Sequence, residues 1–334
     1  MDLLPEIWRL LVPYLTLEQL NVFRLVSRDH CEYTKSYEGP EFVRPYSLKL
    51  CFPCYPNIKC LDTELSFVDC TDFLSFAKLD ELSINTRYLV RNTLFEPCVQ
   101  LKALYLHSDY YESRNLDSTF KYLPQLTSLS LCNVHNVTDT AFNFAPQLEV
   151  LNISGRSCIT SGGISTLKQL KKLCIDTPRY GTSTLIWDPA FEGLPIEELV
   201  LNNHNFLTDR GICHLKELRK VVCIKVKKVQ GEGWNVLKKL QTIAIGSMIV
   251  QDVSNFKNAK TLSFQECRIL GSWRGLWLKL EKLRIHNTTF EYPESIKTIL
   301  CPRLRKIRII KCRQMMDYEN ILCKTFGTKV TIRV

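Results

Sequence analysis

The sequence predicts an α/β solenoid, a ladder of short parallel strands on a concave face, preceded by a small all-α module. Three observations predict it. An apolar residue recurs at Leu79, Leu101, Leu126, Leu148, Leu170, Ile196, Leu218, Leu240, Ala259, Leu280 and Leu304, with gaps of 19 to 26 residues. Each of these positions opens an apolar pattern at offsets 0, 3 and 5, as in Leu126, Leu129 and Leu131 or Leu280, Leu283 and Ile285. The start of the chain follows a different, helical period through Ile7, Leu10, Leu11, Tyr14 and Leu15.

Residues 1–35 form a module of two or three short helices. Pro5 suits the first turn of the helix whose apolar stripe begins at Ile7, and Thr16 caps a second helix carrying Leu20 and Phe23. A piece of this size falls below the roughly 40 residues under which chains need outside support, so it must pack on a partner or on the solenoid. Between residues 36 and 57, Glu38-Gly39-Pro40 and the prolines at 45, 53 and 56 exclude a regular helix. This stretch is a joint or an atypical first repeat, too short for a freely swinging tether.

Residues 58–334 hold the repeats. Offsets 3 and 5 put two side chains on one face of a short strand and leave the intervening residues on the other. One such unit cannot bury its apolar face alone, but stacked neighbours share a continuous core and curve into a horseshoe, with helical or irregular returns on the convex side. This is the leucine-rich-repeat pattern. Three returns carry similar strings, Val137-Thr138-Asp139, Ile159-Thr160-Ser161 and Leu207-Thr208-Asp209, in which Thr, Ser or Asp caps a short helix. They resemble the cysteine-containing class of these repeats, which favours Cys or Asn three residues after the last apolar strand position. The chain has Cys267 and Cys312 there but Val134, Arg156, His204 and Met248 elsewhere, which predicts an irregular ladder. Ile58, Leu61 and Leu65-Ser66-Phe67 point to at least one repeat before Leu79, and the alternating Val330-Thr331-Ile332-Arg333-Val334 is a closing strand.

The opening Leu3-Leu4-Pro5-Glu6-Ile7, the Tyr14-Leu15 pair, Leu17 and Leu20, and Leu25-Val26-Ser27-Arg28 resemble an F-box. With the repeats behind it, nearly the whole chain resembles the F-box/leucine-rich-repeat family, substrate receptors of SCF-type cullin-RING ubiquitin ligases. The resemblance implies that Leu4, Pro5, Ile7, Leu11, Leu15, Leu20, Leu25 and Val26 face a Skp-family adaptor, which joins the chain to the cullin-RING core. It also implies that the repeats hold a protein target for ubiquitination and that the chain itself is not an enzyme. Pro5 stands one residue later than the commonest family position, and His30 stands where the family usually has Trp. Two alternatives stay open: residues 3–34 as no more than a cap on the solenoid, and the chain as a non-degradative scaffold or a nuclear protein with a basic C-terminal binding surface.

The net charge of +10 is unevenly spread. Residues 1–213 hold 19 Lys and Arg against 25 Asp and Glu, whereas residues 214–334 hold 25 against 9. Offsets 2, 4 and 6 are the concave positions, which places Lys282, Arg284 and His286 beside Lys306 and Arg308. The other candidate target contacts on that face are Tyr105, His107, Asn152, Lys172, Asp176, Glu198, Asn202 and Lys220. A basic face of this kind attracts an acidic or phosphorylated segment, Arg giving bidentate contacts; the alternative is charge that only keeps the solenoid soluble. Lys225, Lys227, Lys228, Lys238 and Lys239, with Trp234, Trp273 and Trp277, raise nucleic acid as a partner. It is disfavoured, because those tryptophans fall in convex segments where packing explains them better.

The remaining motifs exclude more than they suggest. No stretch approaches the roughly 18 apolar residues of a membrane helix, and Met1-Asp2 opens no signal peptide, so the expectation is a cytoplasmic or nuclear protein with no membrane partner. The 15 cysteines then read as reduced core residues. Cys51 and Cys54 have a zinc-like spacing, but Cys60 and Cys70 do not supply the second pair, and no metal is assigned. No phosphate loop, dinucleotide turn or HExxH string is present, and the six histidines are scattered with no nucleophile motif around them, so neither a catalytic residue nor a cofactor is expected.

Overall fold

At every repeat from Leu79 to Leu304 the residues at offsets 0, 3 and 5 are buried, which fixes the strand register of the whole ladder. A computed structural model describes residues 42–43, 60–65, 79–86, 95–108, 115–178, 186–273, 275–318, 322, 324, 326 and 330–333. The expected helical module, with its adaptor-facing residues from Leu4 to Val26, lies outside them. The chain divides into two compact units, Met1–Leu151 with Gly155–Ile159, and Asn152–Ser154 with Thr160–Val334.

In the first unit, β1 (Phe42–Val43), β2 (Cys60–Leu65), β3 (Glu81–Thr86), β4 (Ala103–Ser108) and β5 (Ser128–Cys132) pair in parallel in chain order. Leu61, Leu82, Leu104 and Leu129 lie opposite one another, so the repeat expected before Leu79 exists and keeps the common register. Two 3-10 helices, Asp117–Tyr122 and Asp139–Asn143, form the returns. The division between the units falls within β6 (Val150–Ser154).

The second unit continues the pattern with β7 (Lys172–Asp176), β8 (Glu198–Asn202), β9 (Lys220–Ile224), β10 (Thr242–Gly246), β11 (Ile249–Val250), β12 (Thr261–Gln265), β13 (Arg268–Ile269), β14 (Gly275–Leu276), β15 (Lys282–His286), β16 (Thr289–Phe290), β17 (Ile299–Leu300), β18 (Lys306–Ile310) and β19 (Val330–Arg333). The main ladder runs β7-β8-β9-β10-β12-β15-β18-β19, all parallel, with the expected closing strand β19 at its edge. β11, β13 and β16 form a second, three-stranded ladder just past the strand ends, and β14 pairs with β17. The returns are α1 (Ser161–Thr166), α2 (Asp209–Cys213) and several 3-10 turns.

Those returns start where the sequence places them. Thr138, Thr160 and Thr208 are N-caps in extended backbone, and each side chain accepts a hydrogen bond from the N–H two residues on. What the sequence did not reveal is that an acid of the preceding repeat holds the cap in turn. The Asp117 carboxylate accepts from the backbone N–H and the hydroxyl of Thr138, and Asp188 does the same for Thr208 at 2.8 and 2.6 Å. Asp209 passes the device forward, accepting from the N–H groups of Gln230 and Gly231. A charged acceptor of this kind is worth about 1.5–3 kcal/mol, enough to lock successive returns together.

After eight of the strands the chain turns at offset 7 with positive φ, at Asn133, Gly155, Asn203, Lys225, Ser247, Glu266, Asn287 and Lys311; Ser108 after β4 and Thr177 after β7 do not share it. Gly and Asn adopt this conformation cheaply, whereas Lys, Ser and Glu pay roughly 1 kcal/mol for it. The return on that cost is one more rung, since the N–H groups of Asn203, Lys225, Ser247, Glu266 and Asn287 donate to the last strand carbonyl of the next repeat at 2.8–2.9 Å.

Offset 8, the position of the class-favoured Cys or Asn, points inward: Val134, His204, Val226, Met248, Cys267, Thr288 and Cys312 are all buried. The ladder predicted to be irregular is regular in its last three members. The N–H of Cys267 donates to the Thr288 hydroxyl and that of Thr288 to the Cys312 sulfur, while each side chain donates back to the carbonyl two residues earlier. Thr288 thus performs the double hydrogen bonding of the cysteines. His204 is the exception in chemistry, with no exposed surface, Nδ1 accepting from the Leu207 N–H at 3.3 Å, and Nε2 without a partner among the described residues.

Trp234, Trp273 and Trp277 belong to the core. Ring contacts run Trp234–Phe256–Phe264–Trp273–Trp277 with centroids 5.4 to 6.1 Å apart, and none of the three tryptophans is more than 1% exposed. They are closed to stacking with bases.

Candidate functional site

The in-register ladder turns offsets 2, 4 and 6 into columns of side chains on one face. In the first unit that face offers Tyr105, 40% exposed, and His107 on β4, with Ser83 and Ser130 on either side of Tyr105. In the second unit, Asn152 is half-buried on β6, and the remaining candidate residues fall into two groups of different electrostatic character.

The first group is compensated. Lys172, Glu198 and Lys220 stand opposite one another on β7, β8 and β9, and the Glu198 carboxylate lies 3.3 Å from Lys172 Nζ and 3.7 Å from Lys220 Nζ. On the same strands Asp176 stands opposite Asn202; burial pushes the Asp176 carboxyl up, opposed by the Asn202 side chain and by Lys225. Charges here answer charges, each half-exposed pair being worth roughly 0–1 kcal/mol.

The second group is not compensated. On β15 and β18, Lys282 lies opposite Lys306 and Arg284 opposite Arg308. None of these four makes an ion pair among the described residues. Their register neighbours on β12 are Thr261 and Ser263, and Thr331 of β19 lies opposite Arg308, so no acid stands in the adjoining columns. His286 sits at the strand end between Gln265 and Ile310. Like charges directly opposite on neighbouring strands cost roughly 0.2–1 kcal/mol.

A second feature was not anticipated from the sequence. Along the C-terminal ends of the strands runs an open groove of about 1090 Å³. One wall is the row of left-handed turns, Asn203, Lys225, Ser247, Glu266 and Asn287. The other is the row at offset 9, Asn205, Lys227, Ile249, Arg268 and Thr289, whose last three residues are aligned by the β11–β13–β16 pairing. Gln230 stitches this wall together, Nε2 donating to the Ile249 carbonyl at 3.0 Å and Oε1 accepting from the Gln251 N–H at 3.2 Å. The Ser247 hydroxyl donates to the Glu266 carboxylate at 3.0 Å. The readable signal was the recurrence of Asn and Gly at offset 7, which marks a turn row even where Lys, Ser or Glu interrupts it.

Among the described residues no group of three or more His, Cys, Asp or Glu could hold a metal ion, and no helix is long and apolar enough to cross a membrane. Cys51, Cys54 and Cys70 lie outside the described residues.

No protein-family model matches the chain, and no curated protein matches it. Solved structures do. The chain is similar to that of the TLR13–ssRNA13 complex with a TM-score of 0.58 at 15% identity, over 93% of this chain and 52% of that one. It is also similar to an internalin (inlF) from Listeria monocytogenes, with a TM-score of 0.45, 14% identity and coverage of 75% and 80%, and to the APL1 leucine-rich repeat domain, at 0.46, 15%, 79% and 76%. At these identities the likeness concerns the fold. It is that of a leucine-rich-repeat solenoid, as the parallel ladders require.

Proposed function

We propose that the chain is the substrate-recognition subunit of an SCF-type ubiquitin ligase, in which residues 3–34 dock a Skp-family adaptor and the repeats hold a protein target. The ligase core supplies the chemistry, and this chain supplies specificity by raising the effective concentration of a target lysine near the charged enzyme. In this reading the chain has no catalytic residue and works in the cytoplasm or nucleus. The observation that carries it is the F-box-like string from Leu3 to Arg28 set directly before a ladder of repeats.

What supports target binding by the concave face is the contrast between its two charged groups. Glu198 offsets two lysines, whereas Lys282, Arg284, Lys306 and Arg308 repel one another and are matched by no acid among the described residues. A negatively charged partner converts that repulsion into attraction.

The test is a pull-down on purified Skp-type adaptor of the wild type and of Leu4→Ala/Pro5→Ala/Ile7→Ala, with circular dichroism to show that the repeats remain folded. Binding lost only in the variant supports the reading; no binding by the wild type overturns it. The same basic group favours a second reading, a non-degradative scaffold or nuclear protein whose C-terminal surface contacts nucleic acid. It predicts binding to an oligonucleotide that weakens steeply with salt.

A further inference from the structure

The groove beside the turn row is built from groups that the fold itself leaves unused. Lys227 and Arg268 stand on its outer wall without an ion pair among the described residues, one on each side of Ile249, which is 50% exposed. Glu266 is the acid among the lining residues, and its carboxylate already accepts from Ser247. Lys225 has a neighbour in Asp176, whereas among the described residues no acid is paired with Lys227 or Arg268. The amides of Asn203, Asn205 and Asn287 make no side-chain hydrogen bond among the described residues. Each such amide both donates and accepts, as the backbone of an extended peptide does.

We propose that this groove binds an extended acidic peptide segment of about six residues, with acidic side chains meeting Lys227 and Arg268 on either side of an apolar one over Ile249. The length follows from the ladder. From Asn203 to Asn287 the turn row crosses four strand steps of about 4.8 Å, about 19 Å in all, which six extended residues at about 3.3 Å each span. The polarity follows from the two unpaired cations, and the apolar residue from the exposed Ile249 and the buried Met248 beside it. Nucleic acid fits less well, because no aromatic side chain lines the groove to stack on a base.

The inference rests on the target-binding reading of the repeats, with the groove as the reader of a linear motif in the target. Its test is separate from the adaptor pull-down, since it involves none of residues 3–34. Random heptapeptides displayed on phage are selected on the full chain and counter-selected on Lys227→Glu/Arg268→Glu, with Lys227→Ala/Arg268→Ala as a milder variant. Both positions are exposed, and unchanged circular dichroism confirms that the variants fold. The expected result is enrichment of sequences with acidic residues flanking an apolar one. A synthetic peptide of the leading sequence then binds the wild type and Lys282→Glu/Arg308→Glu alike but loses about tenfold or more in affinity on the Lys227/Arg268 variants. Recovery of nothing, of sequences without acidic residues, or of sequences that bind the groove variants equally well overturns the proposal. So does a hexauridylate that binds the wild type in the groove more tightly than any recovered peptide.

Discussion

His204 makes the second unit sensitive to mild acid. Burial holds its imidazole well below the usual value, at about 4 instead of 6.5, with the nearby Asp188 carboxylate opposing the shift. Because Nδ1 accepts from Leu207, the neutral ring carries its proton on Nε2, and a second proton would displace that bond in a site closed to water. Above pH 6.5 both folded and unfolded chains hold a neutral imidazole, and the stability is complete. Between pH 6.5 and 4 the unfolded chain takes up the proton first, so stability falls with pH, by about 3 kcal/mol once the transition is complete and by about 2 kcal/mol at pH 5. The assay is urea unfolding at pH 7 and pH 5, followed by circular dichroism, for the wild type and for His204→Asn. Asn keeps an acceptor for the Leu207 N–H and does not titrate. Other titrating groups contribute equally to both proteins, so the wild type should lose about 2 kcal/mol more than the variant between the two pH values. Equal losses, within about 0.5 kcal/mol, would refute the assignment of acid sensitivity to this ring.

Three further outcomes are expected. Lys306→Glu places an acid opposite Lys282 and should raise the urea midpoint, by about 0.2–1 kcal/mol in stability, while weakening any anionic partner of the concave face; a lowered midpoint would contradict the like-charge description. Gly231→Ala should destabilise by about 1–3 kcal/mol, since a Cβ there meets the Phe256 ring and the residue has a φ of 81°. In native-state alkylation at pH 8 with site-resolved mass spectrometry, exposed Cys158 should react first among the described cysteines. Cys98, its thiol pushed up to about 12 by burial, and Cys223, raised by burial and by Asp209, should react only as the chain unfolds.

What the sequence disclosed and what it hid divide along physical lines. Positions whose role is burial were legible, because only apolar residues suit offsets 0, 3 and 5; the presence of caps was legible too, but Thr, Ser and Asp all suit an N-cap, and the structure selects Thr. The turn row was hidden by its own tolerance. Its defining property is backbone conformation, which Asn and Gly signal but Lys225, Ser247, Glu266 and Lys311 conceal. The offset-8 column was half-legible for a related reason. Cys, Thr and His all fill it, and that Thr288 equals the cysteines in function emerges only from its bonds to Cys267 and Cys312. The acids that hold the caps were invisible, since Asp117 and Thr138 are 21 residues apart and no local rule pairs them.

The charged columns support the proposed reading of the basic end as a binding surface over a solubilising one. Solubility asks only for net charge, and a solenoid can meet that demand by alternating signs along a column, as Lys172, Glu198 and Lys220 do. The same chain, on the same face and in the same register, instead sets Lys against Lys and Arg against Arg on β15 and β18. Two opposed pairs at roughly 0.2–1 kcal/mol each are a standing cost in a fold of marginal stability. Two residues on β12 separate the tolerant alternative from the observed one: acids at Thr261 and Ser263 would have neutralised the neighbours Lys282 and Arg284 without disturbing the core. A face that repels itself while compensation is one strand away has the arrangement that a negatively charged partner completes.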